Sequence, residues 1–107
     1  MMTNIIKLVL TNHWFEEIKS GRKTHEYRKC TDFWEKRIAA LNYSLMSCRG
    51  MLFAKEPCFV EFQKAYRKNP ERMTFRLEYI AFLKSGINTD LACFEPVFDI
   101  KLGERVK

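Results

Sequence analysis

Three charged side chains, those of Lys23, Glu26 and Arg28, stand within six positions of one another. Residues 23–29 alternate as in a β-strand, and period-two geometry then places Thr24, Glu26 and Arg28 on one face. The opposite face then receives Lys23, His25, Tyr27 and Lys29. A buried charge is costly in a small protein unless it is paired. The stretch therefore predicts either a structural Glu26–Arg28 pair or the floor of a polar pocket with Lys23 at its lip.

The same three side chains suit an anionic ligand or a nucleotide. Lys23 offers a mobile cation to a phosphate, and Arg28 presents a planar fork of donors. Glu26 can hold Arg28 in place or accept a hydrogen bond from a base amino group. Convergence of the three on a cavity would indicate a binding or catalytic site, whereas a filled core would indicate a purely structural pair.

The preceding residues predict the elements that position this stretch. Residues 5–10 are rich in branched apolar side chains and predict a first strand, which we expect to be central. Thr11 or Asn12 can cap a following helix. Gly21 then ends that helix in the left-handed conformation. The helix therefore delivers the chain into the charged strand at a fixed angle.

A second helix is predicted to begin at Asp32, which with Glu35 resembles a capping box. Its apolar stripe has spacings of four, three, four and three residues: Trp34, Ile38, Leu41, Leu45 and Cys48. Gly50 is the expected stop, and residues 51–57 are predicted to form a connecting loop. The stripe assigns Trp34 to the core rather than to base stacking.

Alternating apolar residues predict three more strands. They cover residues 58–63, 73–83 and 97–102. A turn-rich link over 64–72 separates the first two. Strand, helix, strand, helix and three consecutive strands is an α+β order with a mostly antiparallel sheet. A sheet this short hides its edges best by curling closed, so we expect a mixed, mostly antiparallel β-barrel with two flanking helices.

The motif Gly21-x-Lys23-x-x-Glu26-x-Arg28 resembles the signature of the ASCH domain family. Further segments are similar to blocks in small bacterial and phage members: residues 8–18, 32–37, 66–69, 73–75 and 98–103. The likeness covers most of the chain, but residues 42–57 have no counterpart in it. The resemblance implies a PUA-like β-barrel flanked by helices, with a cleft lined by Lys23, Glu26 and Arg28.

Binding of RNA or a nucleotide is the first functional hypothesis. Five basic residues cluster on the link and the strand that follows: Lys64, Arg67, Lys68, Arg72 and Arg76. Tyr66 lies among them, and an exposed ring can stack an unpaired base while cations bind phosphates. The structural alternative is a solvated basic loop. Together with the cleft that the resemblance implies, the predicted interface comprises Lys23, Glu26, Arg28, Tyr66, Arg67, Lys68 and Arg72.

A small hydrolase is the second hypothesis. Some small members of the family are amidohydrolases acting on N-acetylated cytidine nucleosides, with a lysine, a hydroxyl residue and a glutamate. Lys23 matches the lysine, but Glu26 stands where those members carry the hydroxyl, and Thr24 is the nearby hydroxyl. We therefore expect little or no amidohydrolase activity, with Lys23, Thr24 and Glu26 as the catalytic candidates. A ribonuclease is a further alternative, and a protein-interaction module without chemistry is the third hypothesis.

Length and composition indicate the number of domains, the charge of the partner and the cellular location. The length fits one domain over residues 1–107, and a formal charge of +6 suits a polyanionic partner. Four scattered cysteines are expected to be free thiols in a reducing cytosol: Cys30, Cys48, Cys58 and Cys93. No segment has the length of a signal peptide or a membrane span. We expect a cytoplasmic monomer that binds RNA, a nucleotide or a nucleoside, with no membrane association, no metal site and no cofactor.

Overall fold

The computed structural model describes residues 4–41, 46–48, 51–53 and 56–107. Two α-helices lie in these ranges: α1 Asn12–Lys19 and α2 Asp32–Ala39. The strands are β1 Ile5–Leu10, β2 His25–Lys29, β3 Met46–Cys48, β4 Met51–Phe53, β5 Phe59–Lys64, β6 Arg72–Leu83 and β7 Val97–Arg105. The predicted α+β class is confirmed.

The strands form one curled sheet that is mostly antiparallel. At its centre, β6 pairs with β7, with β5 through its first half and with β4 through its second half. β3 lies beyond β4, and β2 lies beyond β7. β1 pairs with β5 in parallel register. The expectation of a curled, barrel-like, mostly antiparallel sheet with two helices is thus confirmed.

The sheet has two ends that lie next to the functional residues. In the described ranges β1 pairs only with β5, and β2 pairs only with β7. The Nη2 group of Arg28, on β2, donates a hydrogen bond to the carbonyl of Val9, on β1, at 3.3 Å. We call the space between β1 and β2 the seam. The prediction that residues 5–10 form a central strand is wrong, because within the described residues β1 pairs with one strand only, β5.

Alternation places the apolar side chains inside the curl of the sheet. Every second residue of β1 is buried: Ile6, Leu8 and Leu10. Helix α1 adds Phe15 and Ile18 to the core. The other main strands supply Val60, Phe62, Met73, Leu77, Ile100 and Leu102. Glu26 is buried among these residues with only 3% of its surface exposed, so β2 places a carboxylate in the interior.

Gly21 redirects the chain from α1 into β2. Its φ of 87° lies in the left-handed region, which glycine adopts without a steric penalty. The N–H groups of Gly21 and Lys23 donate to the carbonyls of Ile18 and Glu17, each at 3.1 Å. The predicted glycine cap is confirmed. Thr11 occupies the N-cap position of α1, although its side chain makes no capping hydrogen bond.

The second helix is shorter than its apolar stripe predicts. It ends at Ala39, and Cys48 lies in β3, which pairs with β4. The prediction of a helix through Cys48 is therefore wrong. The loop predicted for 51–57 is also wrong at its start, because β4 pairs with the distant strand β6. Sheet pairing outweighs the local helical spacing here. Leu45 and Gly50, which belonged to the same prediction, lie outside the described residues.

The N-terminus of α2 is capped by Thr31 rather than by Asp32. Thr31 has an extended backbone, and its side-chain oxygen accepts a hydrogen bond from the Trp34 N–H at 3.4 Å. Asp32 and Glu35 instead occupy the first helical turn, where negative charge interacts favourably with the helix dipole. Neither helix of the described ranges is long and apolar enough to cross a bilayer.

The described cysteine side chains are not linked by disulfides. Cys30 and Cys93 are free thiols, whereas Cys58 is 1% exposed. Burial raises the pKa of the Cys30 thiol and that of the Cys58 thiol, and nearby glutamates add to both effects. The side chain of Cys48 lies outside the described residues. Burial thus keeps Cys30 and Cys58 protonated and lowers their reactivity.

Candidate functional site

Two adjoining cavities open beside the seam. The inner one, which we call the seam cavity, has a volume of about 160 Å³ and lies between β1, the start of α1, β2 and the loop that carries Asp90. The wider one, the outer cavity, has a volume of about 430 Å³. The two share four lining residues: Trp14, Lys23, Tyr27 and Asp90. Lys23, Glu26 and Arg28 all line the seam cavity.

Glu26 lies between two cations. Its Oε1 atom is 3.0 Å from Nζ of Lys23, and its Oε2 atom is 3.1 Å from Nη2 of Arg28. The N–H of Tyr27 also donates to Oε1, at 3.3 Å. The cations retain some contact with solvent, with side-chain exposures of 12% for Lys23 and 21% for Arg28. The Glu26–Arg28 pair therefore exists, and it lies at the wall of a cavity rather than in a filled core.

Lys23 reaches this carboxylate because it precedes the strand. β2 begins at His25, so period-two alternation does not govern Lys23, and the prediction that it points away from Glu26 is wrong. Its ammonium group also pairs with the carboxylate of Asp90. The same group lies 4.2 Å from the ring centroid of Trp14, which is close enough for a cation–π contact. Lys23 is thus held by two carboxylates and an aromatic face.

Arg28 extends across the seam and contacts several groups at once. Besides Glu26 and the carbonyl of Val9, its guanidinium carbon lies 5.3 Å from the ring centroid of Trp34. Its Nε atom is buried and makes no hydrogen bond to any described residue. One donor of this side chain is therefore unsatisfied within the described structure, which is uncommon for a buried polar group.

His25, which lines the outer cavity, forms a second polar pair. Nδ1 of His25 lies 2.7 Å from Oδ1 of Asp99 on the neighbouring strand. The rings of His25 and Tyr27 are nearly parallel, with centroids 6.2 Å apart. Burial raises the pKa of the Tyr27 phenol, and the Asp99 carboxylate raises it further. Tyr27 accordingly remains a hydrogen-bond donor at neutral pH.

The three catalytic candidates are only partly brought together. Lys23 and Glu26 are in contact, whereas Thr24 is exposed and lines the outer cavity but not the seam cavity. The Thr24 carbonyl accepts a hydrogen bond from the Leu102 N–H at 2.9 Å, which fixes its backbone to β7. No hydrogen bond between Lys23 and the Thr24 hydroxyl is present. A nucleophile activated by Lys23 is thus not preassembled.

The predicted interface divides into two groups. Tyr66 is 88% exposed and lines a third cavity together with Arg28. Arg67 instead donates to Oδ1 of Asn12 at 2.8 Å, and Arg72 donates to Oε1 of Gln63 at 3.4 Å. The three cavities described here are not lined by Arg67, Lys68 or Arg72. These three residues lie on the exposed surface of the link and the start of β6.

Two residues of the site were not identified from the sequence. Neither Trp14 nor Asp90 is among the binding or catalytic residues that the sequence predicts. The pair of Lys23 with Asp90 spans 67 positions of the chain, so no local pattern could reveal it. The available signal was a carboxylate in a short polar loop that follows a turn-forming glycine, Gly86.

The arrangement provides donors and acceptors between aromatic walls. Lys23 and Arg28 are cationic donors, Glu26 and Asp90 are anionic acceptors, and Trp14 contributes a ring face. Such a set can bind a planar polar ligand that carries negative charge. Among the described residues, no three His, Cys, Asp or Glu side chains cluster as metal ligands would.

Comparison with protein-family models, with curated proteins and with solved structures finds no match to this chain.

Proposed function

We propose that this chain is a PUA-like protein of the ASCH type that binds RNA or a nucleotide in the seam and outer cavities. The observation that carries the proposal is the buried carboxylate of Glu26, held between Lys23 and Arg28 at the wall of an open cavity. Desolvating three charges is costly, and replacing such groups by apolar ones is often neutral for stability. Their position at a cavity therefore favours a role in ligand binding.

The lining residues support recognition of a base. Trp14 and Tyr27 border both cavities, and aromatic rings stack on nucleobases with little dependence on sequence. The carboxylates of Glu26 and Asp90 can accept hydrogen bonds from exocyclic amino groups. The protonated phenol of Tyr27 can donate to a base carbonyl.

Phosphate binding is supported by the cations around the outer cavity. Lys23 lies between the two cavities, and Arg22 lines the outer one with 69% of its side chain exposed. A phosphate entering the outer cavity can replace Asp90 as a partner of Lys23, since both groups are oxyanions. At about 430 Å³ the outer cavity also falls within the range of about 300–1,000 Å³ that is typical of ligand pockets.

The test is a titration of the purified protein with short single-stranded RNA at low salt, followed by fluorescence anisotropy. We expect binding that weakens as salt rises, with a slope of about 0.7 in log K against log salt per phosphate contacted. Lys23→Ala should lower the affinity about tenfold, because it removes a charge-assisted hydrogen bond. Lys84→Ala removes an exposed charge that lines none of the three cavities and is the matched control.

Flat salt dependence, or equal losses in the Lys23 and Lys84 variants, would contradict a specific role for this site. Absence of binding to any RNA or nucleotide would favour the protein-interaction alternative instead. The amidohydrolase alternative lacks a comparable observation, since no activated hydroxyl is assembled at Lys23. In a ribonuclease Glu26 would act as the base, but both of its carboxylate oxygens are paired with cations.

A further inference from the structure

A third cavity lies across the seam from the site described above. Its volume is about 390 Å³, and we call it the basic groove. Its polar and aromatic lining comes from β1, β2, α2 and the link before β6: Lys7, Arg28, Phe33, Trp34, Arg37 and Tyr66. Val9 completes it, and no acidic residue lines it. The seam cavity, by contrast, has Glu26 and Asp90 in its lining.

The positive charge of the basic groove is largely uncompensated. Among the ion pairs of the described residues, none involves Lys7 or Arg37, and that of Arg28 with Glu26 faces the seam. The guanidinium carbon of Arg37 lies 4.2 Å from the ring centroid of Phe33, one helical turn earlier on α2. This contact holds a planar donor at the wall of the groove. A cavity with three cations and no carboxylate favours an anion, and arginine is suited to phosphate.

The groove also exposes aromatic rings that a small protein would normally bury. Tyr66 is 88% exposed and Phe33 is 54% exposed. The ring of Trp34 stands edge-on to that of Phe33, with centroids 4.9 Å apart. Exposed rings interleaved with cations are the composition of surfaces that bind single-stranded nucleic acid, since each unpaired base can stack on a ring while phosphates contact the cations.

Arg28 connects the groove to the seam cavity. It lines both cavities, as does Val9, and its buried Nε atom has no hydrogen-bond partner among the described residues. A phosphate located over the seam would therefore have a cavity on each side of it, the seam cavity on one side and the basic groove on the other. A chain of nucleotides can occupy both cavities, whereas a mononucleotide can occupy only one.

We propose that the basic groove binds the nucleotide adjacent to the one in the seam cavity, so that the ligand is a single-stranded oligonucleotide and not a free mononucleotide. This inference rests on the proposed function and specifies its ligand class. Tyr66 and Phe33 provide stacking surfaces for the second base, and Lys7 and Arg37 bind the flanking phosphates.

The test compares a nucleoside monophosphate, a dinucleotide and a single-stranded hexanucleotide by calorimetric titration. The wild-type protein should bind the hexanucleotide and the dinucleotide more tightly than the monophosphate. Tyr66→Ala should weaken hexanucleotide binding about tenfold, because it removes one stacked base. Arg37→Gln should reduce the salt slope of that binding by about 0.7, which corresponds to one phosphate contact. Neither substitution should change the affinity for the monophosphate.

Lys36→Gln is the matched control, because Lys36 precedes Arg37 on the same exposed helix and does not line the groove. Equal affinities for monophosphate and hexanucleotide, or equal effects of the Lys36 and Arg37 substitutions, would overturn the inference and leave the proposed function standing. Equal binding of a duplex of the same sequence would also overturn it, because paired bases cannot stack on Tyr66. Failure of the wild type to bind any of the probes would refute the proposed function and this inference together.

Discussion

Glu26 neutralises two cations that approach it from opposite ends of one short segment. Its carboxylate is almost completely buried, and each oxygen faces a different positive group. Glu26→Gln should therefore lower the free energy of unfolding by about 3 kcal/mol, the lower end of the range for breaking a buried pair, because both cations retain some solvent contact. Urea denaturation monitored by circular dichroism measures this difference.

Glu71→Gln provides the control for that measurement. Glu71 pairs with Lys19 at 2.7 Å, a shorter distance than either contact of Glu26. The side chains of Lys19 and Glu71 are, however, 39% and 41% exposed. Exposed pairs contribute about 0–1 kcal/mol. If the two substitutions lower the free energy of unfolding equally, burial does not make the ion pairs of Glu26 more stabilising than an exposed pair.

Catalysis at this site lacks a positioned nucleophile. Lys23 is bound to Glu26 and Asp90, and the exposed Thr24 lies in the outer cavity. Acyl transfer needs a nucleophile within hydrogen-bond reach of its base. We therefore expect little or no conversion of N4-acetylcytidine to cytidine when the purified protein is incubated with this nucleoside. Liquid chromatography of the reaction mixture measures the conversion. Turnover that is abolished by Lys23→Ala and retained by Lys84→Ala would contradict this expectation.

The residues of the site could be predicted from the sequence only where they lie close together along the chain. Lys23, Glu26 and Arg28 lie in one segment, so their spacing was visible and their convergence could be anticipated. Asp90 and Trp14 complete the environment of Lys23 through contacts that depend on the fold. The direction of Lys23 was predicted wrongly for a related reason, because alternation was extended beyond the residue at which β2 begins.

At the scale of elements, the turn between α1 and β2 determines where Lys23 lies. Gly21 has a φ of 87°, and a Cβ atom added there would meet nothing within 4 Å. Gly21→Ala should therefore destabilise the protein by about 1–2 kcal/mol through backbone strain alone. Gly21→Asn should cost less, because asparagine tolerates the left-handed conformation. Thermal and urea unfolding of the two variants measures the difference, and an equal cost would show that strain is not the cause.

The error in α2 has a different physical origin. A stripe spaced by four and three residues is typical of a helix, yet β3 pairs with β4, and β4 pairs with the second half of β6. β6 is 12 residues long and offers backbone groups to three strands. Unsatisfied backbone groups along such a strand favour pairing. This pairing with a distant strand cannot be predicted from the sequence of residues 32–50 alone.

At the scale of the whole molecule, the curl of the sheet places a charged opening between two of its end strands, β1 and β2. The predicted class, the barrel-like curl and the two helices followed from the order of the elements, which is a property of the whole chain. The order predicted a mixed sheet but not which strands are parallel, because β1 and β5 are separated along the chain by both helices and by β2, β3 and β4. The seam cavity and the basic groove are both lined by residues of β1 and of β2, so the unpaired region between these strands forms part of the candidate site.

The pairing of β1 and β2 with strands distant along the sequence has a consequence for the growing chain. β1 begins at Ile5 but pairs with β5, and β2 begins at His25 but pairs with β7, the last strand. Neither can enter the sheet until its partner has been synthesised, and contacts so distant along the chain form slowly. Lys23 and Arg28 are thus translated early but reach their final positions late. A nascent chain that stops short of β7 carries the whole charged motif and cannot assemble the cavity around it.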